Sequence, residues 1–111
     1  MSVAKAITRY VRISPRKARL AADLIRGLNI DNAVNQLTHC NLKAGPLLKK
    51  TLNSAVANAE TQLDVRREDL KVLEVRVDEG SRMKRAKPRS KGSQHPFQKR
   101  TSHFTVIVSA E

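Results

Sequence analysis

Positively charged side chains dominate the stretch from Glu79 to His103, which reads EGSRMKRAKPRSKGSQHPFQKRTSH. Between Gly80 and Ser102 there is no Asp or Glu, and eight residues are basic: Arg82, Lys84, Arg85, Lys87, Arg89, Lys91, Lys99 and Arg100. The chemistry that such a run offers is electrostatic binding to a partner with a high density of negative charge. Phosphates of RNA or DNA are the natural candidates for that partner.

The same stretch has too few apolar side chains to fold by itself. Apart from two prolines, its apolar residues are Met83, Ala86 and Phe97. Ordering each residue costs roughly 1–2 kcal/mol of backbone entropy, and like charges that repel one another do not offset that cost. A bound polyanion would supply the missing free energy. The alternative is a solvated, flexible loop, which is the usual interpretation of a charge run taken alone.

Two short apolar segments on either side of the stretch predict that it is a hairpin. Leu73–Val77 and Phe104–Val108 both have the composition of β-strands. An arm of about 10 residues, at about 3.3 Å per residue, would reach about 30 Å from the rest of the chain. A basic arm of that length fits a partner that surrounds it better than a partner that lies flat beneath it.

A second group of basic residues surrounds the start of the first predicted helix: Arg9, Arg12, Arg16, Lys17 and Arg19. Ser14 and Pro15 are typical of the N-cap and the first position of a helix. Positive charge in the first turn opposes the helix dipole and costs roughly 0.3 kcal/mol or more per residue. A phosphate bound there would reverse that cost, because backbone N–H groups also point at it. The alternative is a solvated basic face without a ligand.

The remaining sequence supplies the elements that position these two groups. Residues 3–13 predict a half-buried strand whose basic side faces solvent and whose inward residues are Val3, Ile7, Val11 and Ile13. Residues 63–69 predict a loop. Residues 70–77 predict a second strand, and a slip in its alternation at Val72–Leu73 indicates a β-bulge.

Three helices are predicted between the first two strands. The first spans residues 15–26 and ends at Gly27, and the second spans 29–41 with Asn29 as its cap. The third spans 44–62 and has one continuous apolar stripe: Ala44, Leu47, Leu48, Thr51, Leu52, Ala55, Val56 and Ala59. Lys43, Lys49 and Lys50, near the start of this helix, are possible accessory contacts to RNA.

These elements predict an α+β fold in which three helices pack on one face of a small antiparallel sheet that carries a long extended β-hairpin. A chain of 111 residues is expected to form a single domain, 1–111. Within it we expect a body of residues 1–78 and 103–111 and a protruding basic hairpin of residues 79–102.

Composition excludes several classes of function. The chain has 22 Lys or Arg against 10 Asp or Glu, a net charge of +12, and three aromatic residues, too few for a protein that stacks bases on aromatic platforms. One cysteine, Cys40, excludes an internal disulfide and is expected to be a buried small residue. The histidines show no metal-ligand spacing, and no acid–base constellation is present, so we expect neither a cofactor nor an enzyme. Without a long apolar run or a signal segment, we expect a cytoplasmic protein.

Two other binding classes explain less of the sequence. A DNA-binding protein would insert the helix that follows Ser14 into a major groove, but this leaves the basic arm unexplained. A membrane-active cationic peptide needs a basic amphipathic helix, whereas the helix over 44–62 is nearly neutral beyond Lys50.

Motifs along nearly the whole chain resemble those of bacterial large-subunit ribosomal protein twenty-two. They occur in the family's order: SPRKAR at 14–19, Ala21, DLIRG at 23–27, SAVANAE at 54–60, DEG at 78–80, MKR at 83–85, PR at 88–89, Gly92 and KRTSH at 99–103. Together these motifs are much more specific than the basic composition.

The resemblance implies a body near the outer end of the nascent-peptide exit tunnel and a hairpin threaded through large-subunit ribosomal RNA. Its other implied partners are neighbouring large-subunit proteins and the passing nascent peptide, with no membrane, on a cytoplasmic or an organellar ribosome. The tip that lines the tunnel would be Met83, Lys84, Arg85, Ala86, Lys87, Pro88, Arg89, Ser90, Lys91 and Gly92. The rRNA contacts would be Arg9, Arg12, Arg16, Lys17, Arg19, Arg82, Lys84, Arg85, Lys87, Arg89, Lys91, Lys99 and Arg100. The family also supports early folding of the large rRNA during assembly.

Two short segments depart from the family pattern. Ser81-Arg82 stands where many members have proline followed by a small or polar residue. Residues 93–97 replace a return arm that is usually more basic. Because Pro96 removes a ladder donor, we expect strand pairing to break there.

Overall fold

A computed structural model describes residues 2–88 and 94–110 and has the predicted α+β architecture. In chain order the elements are β1 Ser2–Val11, α1 Pro15–Asp23, α2 Ile30–Thr38, α3 Ala44–Leu63, a 3₁₀ turn Arg67–Asp69, β2 Leu70–Glu79, β3 Met83–Pro88, β4 Gln94–Lys99 and β5 Ser102–Ala110. Strands β1, β5 and β2 form an antiparallel sheet in that order, and β3 and β4 form a separate two-stranded ribbon. The predicted fold class is confirmed. Four of the predicted tip residues, Arg89 to Gly92, lie outside the described residues.

Helix α3 is the centre of the core and agrees with its predicted stripe. Leu48, Leu52 and Ala55 are fully buried, and its bounds differ from the predicted ones by a single residue. Its start is packed tightly against the end of α2. A Cβ atom added to Gly45 would lie 2.9 Å from the backbone oxygen of Leu37, so only glycine allows this approach.

The first two helices begin as predicted but end earlier. Helix α1 stops at Asp23, and a turn leads to Gly27, whose φ of +80° is the left-handed conformation that terminates helices. The side chain of Asn29 accepts a hydrogen bond from the Asn32 N–H at 3.0 Å, which confirms the predicted cap of α2. Cys40 follows α2 rather than belonging to it, and it is half-buried against the core.

The central strand β5 supplies most of the apolar side chains that the helices cover. Phe104, Val106 and Val108 are all completely buried. On the neighbouring strand, Val72 pairs with Val108 and Glu74 with Ile107, so Leu73 is an extra residue. The predicted bulge is therefore confirmed.

The prediction of the inward residues of the first strand is confirmed for Ile13, which is buried, and for Val11, which packs against the core, but it is wrong for Val3 and Ile7. Ala4 and Ala6 face the helices and are buried, whereas Val3 and Ile7 are 49% and 44% exposed. Side chains alternate strictly along a strand, so Val3 and Ile7 must share the outer face with Lys5, which lies between them. Hydrophobicity alone favoured the larger residues, but the register pairs Ala4 with Val108 and Ala6 with Val106, so the two alanines share the buried face of β5.

Side chains and loop backbone cover the outer edge of β2. Arg19 donates from Nε and Nη2 to the Val77 carbonyl at 3.2 and 3.0 Å, and Arg26 donates to the Val75 carbonyl at 2.8 Å. Farther along, the Gly27 N–H bonds the Val72 carbonyl at 3.0 Å. On the opposite edge of the sheet, the Asn58 side chain donates to the Lys5 carbonyl of β1 at 3.0 Å.

The two-stranded ribbon pairs without a register shift. Met83 lies opposite Lys99 at one end, and Pro96 lies opposite Ala86 within the ladder. The expected break at Pro96 is therefore wrong. Both strands of a two-stranded ribbon are edges, and every second N–H of an edge strand points away from its partner, so a proline can fit without loss of a ladder bond. The whole molecule measures 63 × 25 × 16 Å.

Candidate nucleic-acid interface

The ribbon joins the sheet through a short irregular segment, which we call the hairpin root (residues 80–82 and 100–101). The Gly80 N–H donates to the Thr101 carbonyl at 2.9 Å, and the Thr101 hydroxyl donates to the Ser81 carbonyl at 2.7 Å. Between Gly80 and the pair of Met83 with Lys99, the outgoing strand has two residues and the returning strand has only Arg100. The root therefore has the two-against-one count of a β-bulge, which bends and twists a ribbon.

Close packing at the root requires glycine at position 80. A Cβ atom placed there would lie 2.5 Å from the Thr101 hydroxyl oxygen and 3.1 Å from the His103 ring. Thr101 is almost completely buried, and its hydroxyl is already bonded, so it cannot move away without losing that bond. The root is thus a fixed joint between body and ribbon.

The end of β1 also packs beside the hairpin root. Arg9 and Tyr10 face the single residue His103, and Tyr10 adopts a left-handed φ of 58°. This second bulge is held by a 3.1 Å hydrogen bond from the Tyr10 N–H to His103 Nδ1, and the two rings meet edge to face at 4.8 Å. The buried Ser102 hydroxyl donates to the Ile13 carbonyl at 2.7 Å, which fixes the chain just before α1.

A groove of about 910 Å³ lies where the root, the start of α1 and the start of α3 meet. We call it the root groove. Its lining comes from three separate segments of the chain: Arg12, Ile13, Ser14, Lys17 and Leu20; Asn41, Leu42, Lys43 and Ala44; and Lys99 and Arg100. Five of these residues are basic and none is acidic. The groove thus concentrates positive charge from residues up to 88 positions apart, since its lining runs from Arg12 to Arg100.

The predicted rRNA contacts fall into several structural settings. Arg12, Lys17, Lys99 and Arg100 line the root groove, and Arg9 and Arg16 are exposed nearby. Two further positions, Arg19 in the body and Arg82 in the hairpin root, have internal partners. Arg19 bonds the Val77 carbonyl, and Arg82 is paired with Glu79. Lys84, Arg85 and Lys87 belong to β3, while Arg89 and Lys91 lie outside the described residues.

Sequence reasoning missed part of this site. Leu42 and Asn41 line the groove but follow no periodic pattern in the sequence, so only the tertiary structure brings them there. The edge-binding role of Arg26 had a weak signal, because in the predicted helix over 15–26 it lies two turns after Arg19 and therefore on nearly the same side, although α1 itself ends at Asp23.

The two ends of the body differ in charge. The register places Leu70 and Ala110 together at the end of the sheet away from the hairpin root, which we call the far end. Five of the ten acidic residues lie around this far end, where α2 starts, α3 finishes and β2 begins: Asp31, Glu60, Asp64, Glu68 and Asp69. An asymmetric charge distribution orients a protein as it approaches a polyanion. In this protein the end that carries the hairpin root would face the polyanion.

Other kinds of site find no support in residues 2–88 and 94–110. No group of three or more His, Cys, Asp and Glu side chains there is arranged to hold a metal ion. None of the helices in this part of the chain has the length and apolar character that crossing a bilayer takes.

The fold and the site define a small, strongly basic α+β protein with an extended arm. Comparison with known families identifies which one: the family model described as ribosomal protein L22p/L17e matches residues 6–109. The chain belongs to this family. It is therefore a structural ribosomal protein and not an enzyme, which confirms both predictions.

The sequences of curated relatives align with nearly the whole chain. A protein of Protochlamydia amoebophila (strain UWE25) named large ribosomal subunit protein uL22 is 72% identical over 109 residues, which is 98% of each chain. Proteins of the same name from Chlamydia abortus and Chlamydia pneumoniae are 59% and 58% identical over 104 residues, or 94% of each chain. The chain is thus similar to bacterial proteins, without a large insertion or deletion.

Proposed function

We propose that this protein binds the RNA of the large ribosomal subunit, supports its assembly, and lines the nascent-peptide exit tunnel with its hairpin tip. Support comes from family membership and from relatives that are named large-subunit proteins. The partners are then the large-subunit rRNA, neighbouring large-subunit proteins and the nascent peptide in passing. A cytoplasmic ribosome fits the bacterial relatives.

One structural observation carries the RNA-binding part of this proposal. Basic residues before α1, before α3 and at the return of the hairpin line one groove, and the basic ribbon begins at that groove. These segments are far apart in the sequence, and only the fold brings their charges together. Electrostatic binding to RNA backbone is strongest where several cations neutralise neighbouring phosphates. Converging charge at the base of a basic arm is the arrangement such binding needs.

The proposal divides the chain into two parts. The body, residues 1–78 and 103–111, docks through its basic end, with Arg12, Arg16 and Lys17 against phosphates. The hairpin, residues 79–102, penetrates the RNA, and its tip over 83–92 faces the tunnel lumen. Within that segment, Met83 pairs with Lys99 at the root end of the ribbon, so we assign the lumen chiefly to residues farther along the arm than Met83 and Lys84. Arg19 contributes to RNA binding only through nitrogen atoms that are not engaged with Val77.

The test is the salt dependence of binding to large-subunit rRNA. A double variant, Arg16→Gln with Lys17→Gln, should bind more weakly and reduce the slope of log K against log salt by about one unit for each phosphate that is no longer neutralised. A matched control, Arg66→Gln with Lys71→Gln, removes two exposed charges at the far end. It should leave the slope nearly unchanged.

Two results would count against the proposal. If the two double variants reduce the slope equally, binding depends on net charge alone and not on the basic end of the body. If duplex DNA competes as well as structured rRNA in filter binding, a general or DNA-directed role replaces the ribosomal one.

A further inference from the structure

The root groove has an apolar floor beneath its charged rim. Ile13 and Ala44 are buried, and the side chains of Leu20 and Leu42 extend the apolar surface toward solvent. Leu20 is 56% exposed and Leu42 is 38% exposed, so each leaves a large part of its surface uncovered. A volume of about 910 Å³ falls within the range of ligand sites, about 300–1,000 Å³. The groove therefore offers a ligand both an apolar surface and positive charge.

The cations of the rim are available for such a ligand. The four ion pairs found among the described residues involve Arg26, Arg67, Arg76 and Arg82, none of which lines the groove. Polar groups are available too. Ser14 occupies the N-cap of α1 but makes no capping hydrogen bond with its side chain. The amide of Asn41 offers both a donor and an acceptor.

A regular RNA duplex matches the charge of the root groove but not its apolar surface. Its phosphates would reach the rim, but its bases stay stacked inside the helix and would leave Leu20 and Leu42 uncovered. An unpaired nucleotide can turn its base out, bury the flat face of that base, and present a phosphate on each side. Base edges also carry the donors and acceptors that match an asparagine amide and a serine hydroxyl.

Resting on the proposed rRNA binding, we propose that the root groove takes an unpaired nucleotide of the large-subunit rRNA. The base lies on Leu20 and Leu42, with Asn41 and Ser14 at its polar edge. The flanking phosphates meet the basic residues of the rim: Arg12, Lys17, Lys43, Lys99 and Arg100. This contact fixes the position of the body at the point where the hairpin enters the RNA.

Photocrosslinking tests the form of the ligand. We place p-benzoylphenylalanine at position 42 in the full-length protein and bind it to large-subunit rRNA transcribed in vitro. We expect crosslinks at one nucleotide or a few adjacent ones, mapped by reverse transcription, whose base is reactive to dimethyl sulfate in the free RNA and protected in the complex. Position 73 is the matched control, because Leu73 is 47% exposed on another part of the body. It should give no such site.

Affinity measurements separate this inference from the function on which it rests. Leu20→Ser with Leu42→Ser should weaken rRNA binding about fivefold or more by removing apolar contact. The salt slope should not change, because the charge of the protein stays the same. Leu73→Ser is the control and should bind like the wild type.

The possible failures are distinct. If the wild type shows no salt-dependent rRNA binding, the proposed function itself fails. If the wild type binds rRNA with the expected salt slope but the Leu20/Leu42 variant binds equally well, the inference is overturned. The same holds if position 42 crosslinks only to paired nucleotides, because the groove then holds the backbone of a duplex. In isolated large subunits, crosslinking of position 42 to a protein instead of RNA would also overturn it and assign the groove to an acidic peptide segment.

Discussion

The protein contains two antiparallel sheets that are stabilised in different ways. In the body, β5 is paired on both sides and its residues Phe104, Val106 and Val108 are fully buried under the helices. In the ribbon, β3 and β4 each have one neighbour. Their sequence offers only Met83, Ala86, Phe97 and two prolines as apolar residues. A two-stranded hairpin is marginal in water unless something packs against it.

Apolar burial and uninterrupted positive charge are therefore concentrated in different parts of the molecule. The body has an apolar core of its own, so we expect it to fold without a partner. The ribbon has the charge for binding but little means of holding its shape alone. The hairpin root connects the two through hydrogen bonds between Gly80 and Thr101 and between Thr101 and Ser81. The free energy of unfolding of the free protein should therefore respond to changes in the body much more than to changes in the ribbon.

The largest loss is expected from the core of the body. Phe104→Ala should reduce the free energy of unfolding by about 3–5 kcal/mol, because it leaves a cavity under the helices. Urea denaturation followed by far-ultraviolet circular dichroism measures this change. Leu73→Ala, at an exposed bulge, is the control and should cost about 0.5 kcal/mol or less. A loss below about 1 kcal/mol for Phe104→Ala would show that the sheet core does not carry the stability assigned to it.

A smaller loss is expected at the root. Gly80→Ala places a methyl group against Thr101 and should cost about 1–3 kcal/mol through overpacking. The atom nearest the new methyl group is the Thr101 hydroxyl oxygen, so only a change that removes this oxygen should relieve the clash. The double variant Gly80→Ala with Thr101→Ser keeps the hydroxyl, so if it is no less destabilised, the clash involves the oxygen rather than the methyl group of Thr101. An unchanged stability for Gly80→Ala alone would mean that the root is not a tight joint.

Removing one side-chain hydrogen bond to the edge of β2 should reduce the free energy of unfolding by less than Gly80→Ala does. Arg19→Gln and Arg26→Gln each remove hydrogen bonds to β2 carbonyls and should cost about 0.5–1.5 kcal/mol. Arg16→Gln removes the same charge from α1, but its side chain makes no bond to β2, so it serves as the matched control. Equal stability of all three variants would indicate that water replaces the arginine donors without cost.

The smallest effect on the body is expected from deleting the arm. Removing residues 84–94 should change the free energy of unfolding by about 0.5 kcal/mol or less, since the deletion leaves the core intact. In ribosomes the same deletion should permit incorporation but alter responses to macrolides and stalling peptides. Replacing the segment with an equally long Gly/Ser linker separates length from chemistry. Failure to incorporate would make the arm an assembly anchor, and normal responses would refute the tunnel role.

Amide exchange gives a direct comparison of the two sheets. In the free protein, amides of β5 should exchange only through global unfolding, whereas those of β3 and β4 should exchange much faster through local opening. Mass spectrometry of peptides from each strand measures both rates together. Strong protection of residues 83–88 without RNA would contradict the comparison.

The parts of the fold that depend on periodic sequence were predictable. The apolar stripe of α3 follows the helical repeat, and the bulge at Leu73 interrupts the two-residue alternation of a strand. The structure has both features where the sequence indicates them. The inward face of β1 was not predictable from side-chain size, because the register of β1 with β5 decides which of its residues share the buried face. Likewise, no local pattern marks Leu42 as a neighbour of Lys17 and Arg100. That proximity depends on how α2, α3 and the hairpin root meet.

The covered edges of the body sheet also bear on what happens before assembly. Arg19, Arg26 and Asn58 occupy carbonyls that an open strand would offer to another chain. Edge strands left free invite copies of a protein to join into a shared sheet, and aggregation follows. We therefore expect the protein to remain monomeric in the absence of RNA. In sedimentation velocity, Arg19→Gln with Arg26→Gln should form larger species than the wild type, and a purely monomeric variant would contradict this protective role.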